Sequence, residues 1–228
     1  MKAKRVVLVL LLLFLMSITL SACVPGLLDR SPEEELDKEQ KAEEPKKKLH
    51  LPASQLPPID AQRIIEKRAM ETLKIIKERD FAALAERVHP DGVRFSPYSY
   101  VDVSEAGDLV FAPEEVKTFG EDDTKHTWGR YDGTGFPIEL TPREYFDEFV
   151  YTADFVNAER VSYNETLGVG NTLENQFEIY PDAIVVEYYF SGFDPQYGGM
   201  DWQSLRLAFE ELDGTWYLVG VIHNQWTT

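Results

Sequence analysis

The sequence predicts an α+β domain in which a curved antiparallel sheet wraps around an N-terminal helix, preceded by a signal peptide and a disordered tether. Three observations predict it. Apolar residues early in the folded part recur at helical spacing, strand-like runs gather in the last third of the chain, and Asp213-Gly214 between the final two runs is a strong short hairpin signal. A long helix placed early and strands placed late favour segregated α and β layers over alternating βαβ units.

The chain opens with Lys2, Lys4 and Arg5, continues through an apolar run from Val6 to Met16, and then reads Ser17-Ile18-Thr19-Leu20. This is the three-part layout of a secretory signal, and the apolar run is short for a membrane-spanning helix. It ends at Leu20-Ser21-Ala22-Cys23, which resembles the lipobox of bacterial lipoproteins. The resemblance implies cleavage after residue 22, acylation of Cys23 and a lipid anchor on the extracytoplasmic face of the cell membrane. By the same resemblance, Val24 in place of Asp after the cysteine implies no inner-membrane retention signal. The competing reading is an ordinary signal peptide with a chance cysteine near its cleavage site. Cys23 is the only cysteine, so the mature chain has no intramolecular disulfide, no thiolate nucleophile and no cysteine-based metal site. The several acyl chains implied by the resemblance anchor stably, where a single one binds only marginally.

Residues 23–58 turn to Glu, Lys and Pro with little to bury, the composition of a disordered tether with a reach on the order of 30–35 Å. Residues 59–228 then have the length of one domain with a core of its own. The chain carries a formal charge of -17, and residues 59–228 alone carry -18. Such a domain is repelled by nucleic acid, anionic headgroups and anionic wall polymers, leaving cations, basic proteins or neutral molecules as partners. Acidity that simply keeps an exported protein soluble is the plainer explanation.

Within the domain, Asp60 is expected to cap a helix running to about Val88, with Ile64, Ile65, Ala69, Leu73, Ile76, Leu84 and Val88 on its apolar period. His89-Pro90-Asp91-Gly92 breaks it, and a short apolar stretch, Val93 to Val101, follows. Residues 102–137 read as irregular, with one short strand around Asp108 to Phe111. Thr141-Pro142-Arg143-Glu144 starts a second helix with a capping box, turning Tyr145, Phe146, Phe149 and Val150 inward. Strands are expected over Arg160 to Leu167, Gln176 to Ile179, Ala183 to Ser191, Trp202 to Leu212 and Thr215 to His223. This order of elements, carried by the helix to Val88, the His89 to Phe95 segment and the closing strands from Ala183 to His223, resembles the NTF2-like superfamily. The resemblance implies a cone-shaped sheet enclosing a pocket beside the N-terminal helix, and residues 102–137 exceed what a minimal member needs.

Motifs for chemistry are sparse. His50, His89, His126 and His223 include no pair spaced as two ligands on one helical face, and Glu121-Asp122-Asp123 and Asp132-Gly133 lack the ligand spacing of a calcium loop, so no metal is expected. Neither a Gly-x-Ser-x-Gly elbow nor a Ser-x-x-Lys motif, phosphate loop or dinucleotide fingerprint is present, and no cofactor is expected. What remains is acid and base chemistry on the sheet. Alternation along the closing strands lets Arg206, His223 and Glu187 converge, with His89 or Asp201 joining them, and a carboxylate buried beside a histidine marks a functional-site candidate. The structural alternative pairs Arg206 with Glu187 across the sheet, makes Asp201 the cap of a turn before Trp202, and makes His89 a helix-end histidine. Tyr98, Tyr100, Trp128, Tyr188, Tyr189, Phe190, Phe193, Tyr197 and Trp202 supply aromatic faces for sugars, apolar ligands or protein contacts, or a core of large side chains.

Three functions are thereby open. The first is a lipid-anchored envelope lipoprotein whose domain binds a small apolar molecule or another envelope protein without chemistry. The second is a pocket enzyme of isomerase, dehydratase or cyclase type acting on a small apolar molecule. The third is a passive accessory to wall or sporulation machinery, recognised by an exposed aromatic patch.

Overall fold

The computed structural model describes residues 51–227. The signal peptide, Cys23 and the greater part of the tether lie outside the described residues. Helix α1, Pro58–Glu78, starts with a proline in its first turn and Asp60 beside it, and buries Ile65, Ala69, Leu73 and Ile76. Ile64, expected on the same stripe, is exposed at the helix margin. The expected run to Val88 is broken at Arg79, which adopts a left-handed conformation at φ 57°. Asp80 then caps a second helix, α2, Phe81–Ala85, by accepting the Ala83 N–H at 2.9 Å. The short carboxylate side chain competes with helix continuation, and the break swings Phe81 onto Phe146. The folded part also begins earlier than expected. Residues 51–58 are not tether: Ala53 and Leu56 pack on the core, and the Asn164 amide donates to both of their carbonyls.

Eight strands follow: β1 Val93–Ser96, β2 Leu109–Phe111, β3 His126–Arg130, β4 Pro137–Leu140, β5 Arg160–Tyr163, β6 Ala183–Phe190, β7 Gln203–Leu212 and β8 Thr215–Gln225. Six of them form a curved sheet in the order β2-β1-β8-β7-β6-β5, and β3 and β4 form a separate hairpin. All pairs in the large sheet are antiparallel except β1 with β8, which is parallel. Its edge strands are short, three residues in β2 and four in β5. Asp213 and Gly214 join β7 to β8 with φ of 52° and 80°, the paired positive values of a type I′ hairpin turn.

Residues 102–137 hold more than the single strand expected. Besides β2 they form helix α3, Pro113–Lys117, the whole of β3 and the start of β4. The capping box at Thr141 and Glu144 is present, starting α4, Pro142–Tyr145, which continues as a π-helical turn over Phe146–Val150. Gln176–Ile179, expected as a strand, is instead a helical turn, α5. Asn175 in front of it exchanges two hydrogen bonds with the backbone of Val101, and Tyr180 behind it packs against Gly220, so this run covers the sheet rather than joining it.

The sheet is buried on both faces. Ile184, Val186, Tyr188, Leu205, Leu207, Phe209, Leu218 and Val221 face α1 and the main core. Ala183, Val185, Ala208 and Ile222 face a second cluster roofed by Val101, Phe177, Ile179 and Tyr180. Strict alternation along β8 fails at one point: Ala208 pairs with Gly220 and Phe209 with Leu218, leaving Val219 as an extra residue in a bulge. Beyond it the parity of β8 is inverted, so Val221 and His223 share the core face with Leu218. A Cβ on Gly220 would lie 2.9 Å from the Tyr180 phenol, and overpacking of this kind costs about 1–3 kcal/mol. Gly220→Ala is therefore expected to lower the free energy of unfolding by that amount, read as a lower urea midpoint with an unchanged m-value.

Candidate functional site

The residues nominated from the sequence do not form one site. The bulge at Val219 puts His223 on the core face, across from Leu205, while Arg206 and Glu187 are register partners on the opposite face. His89 and Asp201 sit at opposite ends of the β7–β8 pair. The His89 backbone N–H donates to the Leu218 carbonyl, its Nδ1 accepts the Asp91 N–H at 3.1 Å, and its ring meets Tyr217 edge-on. Asp201 caps the turn at Phe193 and Asp194, accepting both N–H groups at 2.9 and 2.7 Å, rather than a turn immediately before Trp202. Each is explained by local backbone bonding.

Arg206 and Glu187 form a sealed network. Arg206 Nη2 donates to Glu187 Oε1 at 3.2 Å, Glu174 Oε1 at 2.9 Å and the Gly168 carbonyl at 2.9 Å. Glu187 also accepts the Leu167 and Gly168 N–H groups, and the Trp202 ring leaves Gly168 no room for a Cβ. Both charged side chains are 1% exposed, and the network pins the loop around residue 168 to the sheet, with Glu174 of the same network 19% exposed. Removing one member leaves the other as an uncompensated buried charge. Arg206→Leu is expected to cost about 3–5 kcal/mol in denaturant unfolding, and the double variant Arg206→Leu with Glu187→Leu less than the single one.

His223 is fully buried under the Phe149 ring, 5.9 Å between centroids, with neither ring nitrogen partnered among the described residues. Burial pushes its pKa down to about 4. The unfolded chain takes up that proton at its ordinary pKa, so the stability contributed by the neutral ring is full above about 6.5 and is lost as pH falls toward 4. The loss is on the order of 3 kcal/mol. His223→Leu is expected to flatten this acid limb, read from urea midpoints of variant and parent at matched pH between about 7.5 and 4.5, where contributions from other groups cancel.

The space between helix and sheet, where a cone-shaped fold has room for a pocket, is filled with rings. Trp128 stacks on Tyr145 at 3.9 Å, Tyr145 on Phe149 at 5.2 Å, and Phe95 meets Trp128 edge-on at 5.8 Å. Phe111, Phe119 and Trp128 of this cluster come from residues 102–137, the segment that looked surplus. Its Trp128 indole N–H is satisfied by the Leu140 carbonyl at 2.8 Å.

A concavity opens instead at the surface above this cluster, a cleft of about 480 Å³ between the segments 97–108 and 129–132. Tyr98, Tyr100 and Tyr131 line it together with Asp102, Asp108 and Asp132, and the Tyr98 and Tyr131 rings also pack against Phe149. Both rims are fixed. On one, the Asp108 N–H donates to the Asp102 carbonyl, the Asp102 N–H returns to Asp108 Oδ2 at 3.0 Å, and Arg94 Nη1 donates to the Asp108 carbonyl at 2.6 Å. Across the cleft, the Asp132 N–H donates to the Tyr98 hydroxyl of the first rim at 3.1 Å and ties the two segments together. Burial pushes the Asp108 carboxyl up to about 6 against the opposing pull of Ser96, Asp102 and Arg94. A preformed cleft with a few convergent polar groups is the usual form of a ligand site. A larger groove of about 690 Å³ is lined by Leu51, Leu56, Ile64 and Trp216 together with Asp182, Glu210 and Glu211. Of the cleft residues, sequence reasoning reached Tyr98 and Tyr100 through the aromatic content but missed Tyr131, Asp102 and Asp108. The available signal was Tyr100-Val101-Asp102 and Tyr131-Asp132, a tyrosine followed closely by an aspartate on each side of residues 103–130. Among the described residues, no group of three His, Cys, Asp or Glu is placed to hold a metal ion, and no helix is long and apolar enough to cross a membrane.

Fold and cleft together define an α+β domain with a curved sheet, a filled interior and a surface cleft. Among solved structures, the chain is similar to an NTF2-like designed protein, with 13% identity, a TM-score of 0.31, and coverage of 71% of this chain and 98% of that one. It is also similar to a structure described as a calcium/calmodulin dependent protein kinase II association domain from Xanthomonas campestris, with 14% identity, a TM-score of 0.29, and coverage of 72% and 86%. No family model matches the chain, and no curated protein does.

Proposed function

We propose that this chain is a lipid-anchored, extracytoplasmic binding module, attached to the cell membrane through Cys23 and holding a small molecule or a segment of another envelope protein in the tyrosine cleft without chemistry. The observation that carries the reading is the packing of Phe95, Trp128, Tyr145 and Phe149 where an enzyme of this architecture would seat its substrate, together with a preformed cleft at the surface. His223 meets an aromatic ring there, and Arg206 and Glu187 are sealed on the far side of the sheet. The acidity of residues 59–228 speaks against nucleic acid as the partner. One observation favours the second reading, a pocket enzyme doing acid and base chemistry: Asp108 lines the cleft with a carboxyl raised to about 6, close to the range of a working general base.

The test uses the full chain extracted from its own host's membranes and examined by native mass spectrometry. The expected result is a bound molecule that is lost on denaturation and absent from a Tyr100→Ala variant. A molecule retained equally by Tyr100→Ala overturns the cleft as the binding place. A molecule converted by the parent and returned unchanged by Asp108→Asn establishes the enzyme reading instead. The anchor is tested separately: the parent is expected to incorporate labelled palmitate and Cys23→Ala to lose that label, and an unlabelled parent overturns it.

A further inference from the structure

We propose that the cleft selects an organic cation, a protonated amine or quaternary ammonium group, over a neutral molecule of the same shape; this rests on the reading of the cleft as the binding place. Three tyrosines line one concavity. Tyr98 and Tyr131 are half-buried, and Tyr100 stands 48% exposed at the mouth. A tyrosine ring whose face meets an ammonium group attracts it through the negative charge of that face, which does nothing for a neutral group of equal size.

The charge of the lining points the same way. Asp102, Asp108 and Asp132 face the cleft, with Arg130 as the one cation among the lining residues. Arg130 turns its Nη1 to the Gly135 carbonyl at 3.0 Å, and Arg94 lies beneath the rim with its Nη1 bonded to the backbone carbonyl of Asp108. The backbone N–H of Ser104 holds the Asp102 carboxyl below its ordinary range, so it is ionised at neutral pH. An anionic ligand would meet this negative lining inside a domain of charge -18. A neutral apolar ligand would strip water from carboxylates without repaying them.

Asp108 makes the selection depend on pH. The groups facing it are Arg94, Asp102 and Ser96, with Tyr145 and Tyr180 nearby in the packing behind the rim. Below about 6 it takes up a proton and one negative charge leaves the cleft, so cation affinity falls as pH drops through that value.

The experiment is a titration of the full chain in detergent micelles with choline and with 3,3-dimethylbutan-1-ol, the neutral carbon analogue of the same shape. Tyrosine ring resonances report binding. Choline is expected to bind at least about tenfold more tightly than the alcohol, with the preference shrinking in high salt and below pH 6. Tyr100→Ala and Asp132→Asn, both at exposed or half-exposed positions, are each expected to weaken choline binding several-fold. Equal affinity for the two probes overturns the inference while leaving the cleft a binding site. Shifts from neither probe also overturn it, and the broader reading then fails only if the molecule retained from the host survives Tyr100→Ala as well.

Discussion

The arrangement of this domain depends on a sheet whose central strand is buried on both faces. From Ser204 to Phe209 every residue of β7 is at most 1% exposed, so each side chain must match the layer it faces. A shift of one residue in register would drive Arg206 into the helix-side core and a leucine into the charged network. Two devices hold the register. The Asp213-Gly214 turn fixes where β7 meets β8, and the bulge at Val219 resets the parity of β8 so that both of its halves present apolar residues to the core. Gly220, with Tyr180 lying directly over it, lets the bulge sit beneath the outer layer.

The two faces have different jobs. On the helix side, α1, α2 and the aromatic cluster from residues 102–150 close over His223, whose burial pushes its pKa down. On the other side, a loop and a helical turn are tied down by the ion network of Arg206, Glu187 and Glu174. Buried ion pairs of this kind contribute little net stability against an apolar replacement, and here the pair fixes which loop covers the sheet. With the interior filled, tyrosines and carboxylates line a surface cleft above Trp128 whose two rims are joined by the bond from the Asp132 N–H to the Tyr98 hydroxyl.

Sequence patterns exposed the fold wherever local chemistry dominates. The hairpin turn, the capping box at Thr141, the inward set Tyr145, Phe146, Phe149 and Val150, and the long strands β6 to β8 all follow from spacing and turn residues. Long-range packing hid the rest. Nothing local announces that Asp80 will cap a new helix instead of riding along the old one, or that Gln176–Ile179 will roof the sheet. The candidate site suffered most, because assigning faces by alternation assumes an unbroken strand. One inserted residue sent His223 away from Arg206, and the cleft is assembled from segments about thirty residues apart that only the fold brings together.

The short outer strands have a consequence for life at a surface. Molecules confined to a plane meet far more often than the same number in solution, and an open sheet edge is a template for adding another chain. Three residues in β2 and four in β5 give an incoming strand little to hold. If Cys23 anchors the domain to a membrane as proposed, these short edges would let it stay separate from its neighbours there without a helix or a cysteine bridge guarding its flanks.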